Sequence, residues 1–166
     1  EMGINIRWIE EADADRLAEM AAGLSAHEGY PPPPFGPSEI LRYGFGAEKS
    51  FEGIVAELSG RVEAYAFFHD AFNVGLGAPG LHMIDLYVDE EARCQGIGRA
   101  LVGRIALECR RRQGTWVTWQ SVVSNRTALE FYDAIGGRRF GAANYELTGP
   151  ALDQIIVAGD VQERSE

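Results

Sequence analysis

The run Arg93-Cys94-Gln95-Gly96-Ile97-Gly98-Arg99-Ala100-Leu101 sets a glycine pair among arginines, directly after the apolar Leu81–Val88 and the acidic Asp89-Glu90-Glu91. That order predicts a strand, a tight turn and a helix whose first turn holds both glycines. The first amides of a helix lack intrahelical partners and sit at the positive end of its dipole, so together they can receive an anion. Glycine at 96 and 98 lets such a backbone close on a pyrophosphate without Cβ clashes, and Arg93 and Arg99 add charge at its edge. Alone, a strand leading through Gly-x-Gly into a helix is a weak signal, equally satisfied by a plain tight turn. The dinucleotide fingerprint G-x-G-x-x-G is not met, because Leu101 stands where its third glycine belongs.

Other candidates are polar residues in apolar company. Asp85 interrupts an otherwise apolar strand, where a carboxylate carries a desolvation cost unless paired or hydrated. By strict alternation it shares a face with Met83 and Tyr87, and a nearby bulge would redirect it. It reads either as a base or as the structural partner of an arginine. Tyr132 falls in the helical stripe Ala128, Phe131, Tyr132, Ile135, and by spacing alone it is a half-buried aromatic. Glu28 follows a helix and serves either as a ligand for a substrate ammonium or as a solvated helix-end charge. His27 and His82 are weaker base candidates. Cys94 lies in the glycine turn without an evident histidine partner, so a covalent acyl-cysteine is disfavoured.

The elements that must position these residues follow from periodicity. Gly3–Trp8 alternates as a short strand, and Ala12–His27 carries Leu17, Met20, Ala21 and Leu24 at helical spacing. Tyr30-Pro31-Pro32-Pro33-Pro34-Phe35-Gly36 is a stiff extended loop, and a short helix capped by Ser38 ends around residues 44–46. Strands are expected over 51–58 and 61–69 about the hairpin signal Ser59-Gly60, with Val62, Ala64, Ala66 and Phe68 on one face. Residues 75–80 are a loop, and 81–88 is the most hydrophobic strand. Ile97, Leu101, Ile105 and Cys109 mark an amphipathic helix over 96–112, whose terminal Arg110-Arg111-Arg112 complements its dipole. A strand over 115–123 carries Trp116 and Trp119 on opposite faces as packing residues. A helix over 125–135 stops at Gly136-Gly137, and short strands at 138–140 and 143–147 close the domain. The tail 150–166 is unassigned, although Leu152, Ile155, Ile156 and Val157 could pack or pair with a partner.

The 166 residues, 46% hydrophobic and 24% charged, suit one soluble domain over 1–166. A net charge of −10, from 25 acidic and 15 basic residues, argues against nucleic-acid binding and favours a cationic substrate. Apolar runs are strand-sized, so no membrane span is expected. Glu1-Met2-Gly3 opens no secretory signal, which points to the cytoplasm. Cys94 and Cys109 make no disulfide framework, and His27, His69 and His82 lack ligand spacing, so no metal is expected.

Arg93-Cys94-Gln95-Gly96-Ile97-Gly98 resembles the acetyl-CoA motif of the GNAT N-acetyltransferase superfamily: Gln or Arg, two variable residues, Gly, one variable residue, then Gly or Ala. Asn125 followed by Tyr132 one helix later is similar to the second landmark of that family, and the likeness runs from about Ile4 to Leu147. Leu24-Ser25-Ala26-His27-Glu28, Gly44-Phe45-Gly46 and Phe67-Phe68 look closest to its diamine (spermidine/spermine-like) branch. That branch carries Glu where this chain has Ile84, which leaves a polyamine groove one carboxylate short.

The resemblance implies an α/β fold with a mixed, mostly antiparallel sheet, flanked by helices and splayed where acetyl-CoA inserts. The backbone of Leu86, Tyr87 and Val88 would then bond the pantetheine arm, and the amides from Gln95 through Ile97, Gly98 and Arg99 to Ala100 the pyrophosphate. Asn125 would contact pantetheine, with Ala128 and Phe131 lining its path. Tyr132 would protonate the leaving thiolate, Asp85 would act on the base side, and Glu28 would bind the substrate ammonium. The implied reaction is direct attack of a primary amine, whether polyamine, diamine or amino-acid-like, on acetyl-CoA as co-substrate. A CoA-binding sensor without turnover is the alternative. Homodimers are common among such proteins.

Overall fold

Alternating apolar residues build the sheet from four antiparallel strands in chain order: β1 (Asn5–Trp8), β2 (Glu52–Leu58), β3 (Arg61–Asn73) and β4 (Ala78–Val88). The fifth, β5 (Trp116–Thr118), joins β4 in parallel. A parallel neighbour needs a crossover, and helix α3 (Ile97–Arg111) supplies it. Helices α1 (Ala14–His27), α2 (Pro37–Gly44) and α4 (Arg126–Ala134) complete this unit, Glu1–Ile135. A second compact unit, Gly136–Glu166, carries α5 (Gly149–Gly159). The computed structural model describes residues 3–159; the signal reading at Glu1-Met2 and residues 160–166 of the tail lie outside them.

The sheet is open, mixed and mostly antiparallel, as expected, and each face has its own apolar layer. On one side Leu17 and Met20 of α1 and Ile40 of α2 pack against Val55, Tyr65 and Phe67. On the other, Ile97, Leu101, Ile105 and Cys109 of α3 cover Ala66, Phe68, Leu81 and Met83. Burying these side chains, at about 1.5–3 kcal/mol each, is what holds helices and sheet together.

Two bulges change which residues share a face. Ala56 pairs with Ala64 but Glu57 with Val62, so Glu63 is the extra residue of β3. Val62 therefore packs toward α1, while Ala64, Ala66 and Phe68 face α3, which corrects the expectation of one shared face. Likewise Phe67 pairs with Asp85 and Phe68 with Met83, leaving Ile84 as the extra residue of β4. Met83 faces α3, whereas Tyr87 packs with the α1 layer and Asp85 bonds Tyr65 of that layer. Strict alternation, which puts all three on one face, fails at that single inserted residue.

Other boundaries move for local reasons. The two-residue hairpin at Ser59-Gly60 is as expected, with φ of 53° and 80° at its two central residues. The β3–β4 hairpin runs on to the pair Asn73/Ala78, held beyond the core by backbone pairing, so the expected loop shrinks to residues 74–77. Helix α2 starts at Pro37 with Gly36 as its cap instead of Ser38, because proline fits the first helical position. Strand β5 stops at Thr118 instead of 123, where its pairing with β4 ends. The strands expected at 138–140 and 143–147 do not form: among the described residues of the second unit none pairs in a ladder, and alternation without a neighbour makes no strand.

Candidate active site

The divergence of β4 and β5 opens the site. The two strands pair only at Gly80/Trp116, Leu81/Val117 and His82/Thr118, after which β4 continues to Val88 with β3 alone beside it. Close approach at the start is possible because Gly80 lacks a Cβ, which would sit 2.3 Å from the Trp116 ring. The Trp116 indole also donates to the Ala78 carbonyl at 2.9 Å. Past that clamp the Ile84 bulge bends β4, and Leu86, Tyr87 and Val88 border a gap in the sheet.

Beyond Val88 the chain makes a short turn and enters α3 through two left-handed residues, Cys94 (φ 62°) and Gly96 (φ 81°). The first intrahelical bond runs from the Ala100 amide to the Gly96 carbonyl, at 3.0 Å. The amides of Ile97, Gly98 and Arg99 precede it. Gly96 at the N-cap makes no side-chain cap bond to them, and no acid lies in that first turn. A Cβ added at Gly96 would meet nothing within 4 Å, so the residue looks onto open space. At Gly98 it would come within 3.3 Å of Phe131 Cζ, which makes the Phe131 ring the opposite wall. Arg93 braces the approach: its Nε donates to the Val88 carbonyl at 2.9 Å and its guanidinium lies 5.7 Å from the Tyr87 ring centre. Gln95 is exposed, its amide 3.5 Å from the Glu91 carbonyl. Helix α4 begins differently, with Asn125 Oδ1 accepting from the Ala128 amide at 3.2 Å.

The candidate acid lies within range of the charges of both candidate carboxylates. Tyr132 is half-buried, its ring 5.2 Å from those of Trp119 and Phe131. Burial, together with the negative charges of Glu28 and Asp85, pushes its phenol up to about 12, so it is protonated at neutral pH. Asp85 accepts a hydrogen bond from Tyr65 Oη at 3.0 Å; its partner is thus a tyrosine, not the arginine considered from sequence. Burial raises the Asp85 carboxyl, and the Tyr65 bond pulls partly the other way. Glu28, at the end of α1, is raised first by burial and then by the charge of Asp85, with His27 opposing. A like charge nearby disfavours ionisation, which is the direction of the Glu28 shift.

A cavity of about 560 Å³ lies between the end of α1, the proline run and strands β3 and β4. Glu28 and Asp85 line it together with Phe35, Phe51, Phe67 and Ile84. A separate network at the start of α1 fixes that helix to the turn that leads into α3. Arg16 pairs with Asp89, lies 3.6 Å from Glu63 at the β3 bulge, and donates to the Val62 carbonyl at 3.0 Å. Sequence reasoning missed Tyr65 as the partner of Asp85, and it took Pro31–Pro34 as a loop without assigning a wall to it. An unexplained tyrosine hydroxyl in an apolar strand was the available signal for the first.

His82 instead ties β4 to β5: its Nδ1 lies 3.0 Å from Thr118 Oγ1 and its ring 5.2 Å from that of His69. Burial and then His69 depress its titration, as suits a neutral structural histidine. Cys94 is exposed and Cys109 buried. Among the described residues, no group of three or more His, Cys, Asp or Glu is placed to hold a metal, and no helix is long and apolar enough to cross a membrane.

Residues 17–136 match the family model of the acetyltransferase (GNAT) family. No curated protein matches the chain. Among solved structures, an integron cassette protein from the mobile metagenome of V. cholerae is 21% identical, with a TM-score of 0.78 over 94% of this chain and 99% of that one. An aminoglycoside acetyltransferase from an uncultured soil metagenomic sample, solved with trehalose, is 19% identical, with a TM-score of 0.73 over 88% and 96%. A ribosomal-protein-alanine N-acetyltransferase from Brucella melitensis biovar Abortus 2308 is 18% identical, with a TM-score of 0.69 over 89% and 100%. At such identities the likeness is one of fold.

Proposed function

Since the chain belongs to the acetyltransferase (GNAT) family and is an acetyl-CoA-dependent N-acetyltransferase, we propose that it acetylates the primary amine of a small molecule by direct attack, with Tyr132 as general acid. The observation that carries this reading is the position of the Tyr132 ring, packed against Trp119 just past β5 and against Phe131, whose own ring faces Gly98 of the glycine turn.

The residues present fit acetyl-CoA. The uncapped first turn of α3, Gly96 with open space before it, and the flanking Arg93 and Arg99 suit a pyrophosphate. The amides from Gln95 through Ile97, Gly98 and Arg99 would hold it, with Ala100 completing the turn. The unpaired edge of β4 from Leu86 through Tyr87 to Val88 would hold the pantetheine arm. Asn125, Ala128 and Phe131 would form the facing wall, Asn125 through its amide group while its oxygen caps α4. Bound there, the co-substrate supplies an activated acetyl group.

The side chains then divide the proton work. An incoming ammonium sits against Glu28 and passes a proton to Asp85, whose raised carboxyl accepts it more readily than an ordinary aspartate. The freed lone pair forms the new C–N bond as the C–S bond breaks. Tyr132 gives its proton to the departing thiolate, and the surplus proton on the product nitrogen returns to the phenolate through water. Asp85 releases its own proton to solvent, so one amide, one thiol and one proton leave.

Within the family, Glu28 and Phe67-Phe68 are in keeping with the diamine branch, whereas Ile84 departs from it. The reading is tested by thiol release from acetyl-CoA in the presence of a primary amine and of its N,N-dimethyl counterpart. Release with the primary amine alone is expected. Tight CoA binding without thiol release from any primary amine would overturn it and leave a CoA sensor.

A further inference from the structure

The cavity beside Asp85 narrows the acceptor class, given that acetyl transfer to an amine is the reaction. Glu28 and Asp85 are the only charged residues that line it among those described, and Glu28 feels the charge of Asp85. Ser25 and Tyr30 are its two uncharged polar side chains, and the rest of the wall is apolar. Phe35, Phe51 and Phe67 pack into a triad with ring centres 5.9, 5.9 and 4.7 Å apart. Pro31 to Pro34 face them, with fixed φ and no backbone N–H to offer. The Ile84 bulge adds a further apolar lining residue next to the carboxylate in the chain, and Ile84 is 45% exposed.

A single ammonium placed between the two carboxylates relieves their mutual repulsion. A second cationic centre a few bonds further in would lose its water against proline, phenylalanine and Ile84 with no carboxylate to receive it. A sugar bearing many hydroxyls would leave most of them without partners on the same wall. The geometry points to a primary monoamine with a compact apolar body, an arylalkyl or branched-alkyl amine, as the acceptor: its ammonium lies between Glu28 and Asp85 and its body lies on the Phe35–Phe51 and proline wall.

The test titrates 2-phenylethylamine, 1,4-diaminobutane and spermidine calorimetrically into the CoA-loaded protein and follows thiol release from acetyl-CoA with each. The expected result is binding of 2-phenylethylamine about ten-fold tighter than either polyamine, an advantage of one apolar contact set over a stranded charge. In the Ile84→Glu variant, which carries its new carboxylate at an exposed position, that preference should fall by about ten-fold. Tighter binding of a polyamine, no detectable binding of 2-phenylethylamine, or a preference unmoved by Ile84→Glu would overturn the assignment. Binding of 2-phenylethylamine without thiol release would support the acceptor class and sink acetyl transfer; release only with polyamines would do the reverse.

Discussion

The two halves of the site are made of different material. On the proposed reading the working groups at the start of α3 are backbone amides, following a left-handed glycine that makes no side-chain cap bond. In the cavity beyond Asp85 they are side chains: two carboxylates, a tyrosine donor and an apolar wall. A backbone cradle recognises what every donor molecule shares, a pyrophosphate, and asks of the sequence mainly that Cβ atoms be absent. A side-chain cavity recognises what distinguishes one acceptor from another. The contrast separates binding of the acyl donor from choice of amine, and substitutions can be aimed at either half.

The largest effect is expected at Gly96. Valine there would force a β-branched residue to a φ of 81° and push its Cβ into the open cradle, so calorimetry should find CoA affinity down by about 100-fold or more. Undiminished affinity would remove the cradle from the account. Next comes Tyr132→Phe, which keeps the ring against Trp119 and removes the proton. Its kcat should fall by about 100-fold while CoA affinity stays within about three-fold, since general-acid catalysis is worth about 10²–10⁴. Equal loss in both would make Tyr132 a packing residue.

Smaller effects sharpen the cavity half. Glu28→Gln should raise KM for the amine by about ten-fold, the scale of one charge-assisted contact, and leave CoA binding as it was. Tyr65→Phe should act through pH. The Tyr65 hydroxyl favours the charged form of Asp85, so its loss moves that already raised carboxyl higher still. The acid limb of kcat/KM should then shift to higher pH, with the plateau above it little changed. A limb that stays in place or moves down would separate Asp85 from the proton transfer.

Legibility in the sequence follows the same division. The strand, turn and helix around Gly96 could be read because their demands are local: an apolar strand, glycines at 96 and 98 and a helical stripe at 97, 101, 105 and 109 all lie within one contiguous stretch. Asn125 before Arg126–Ala134 was equally readable as the start of a helix. The cavity could not be, because Tyr65 reaches Asp85 only across the β3–β4 ladder, and Ile84 joins the wall only through a bulge that shifts the parity of β4. The proline run announced stiffness without saying which rings it would face. The strands expected at 138–147 failed for a related reason: alternation marks a residue pattern, and only a neighbouring strand converts it into a ladder.

On the proposed function, donor and acceptor occupy cradle and cavity together and the acetyl group passes directly between them. Initial rates with acetyl-CoA and a primary amine varied against each other test it most directly. Intersecting reciprocal plots, with no acetyl group found on the protein when the amine is withheld, are predicted. Parallel plots together with an acetyl group trapped on Cys94 would contradict it, because the acyl group would then travel through the exposed thiol of the glycine turn.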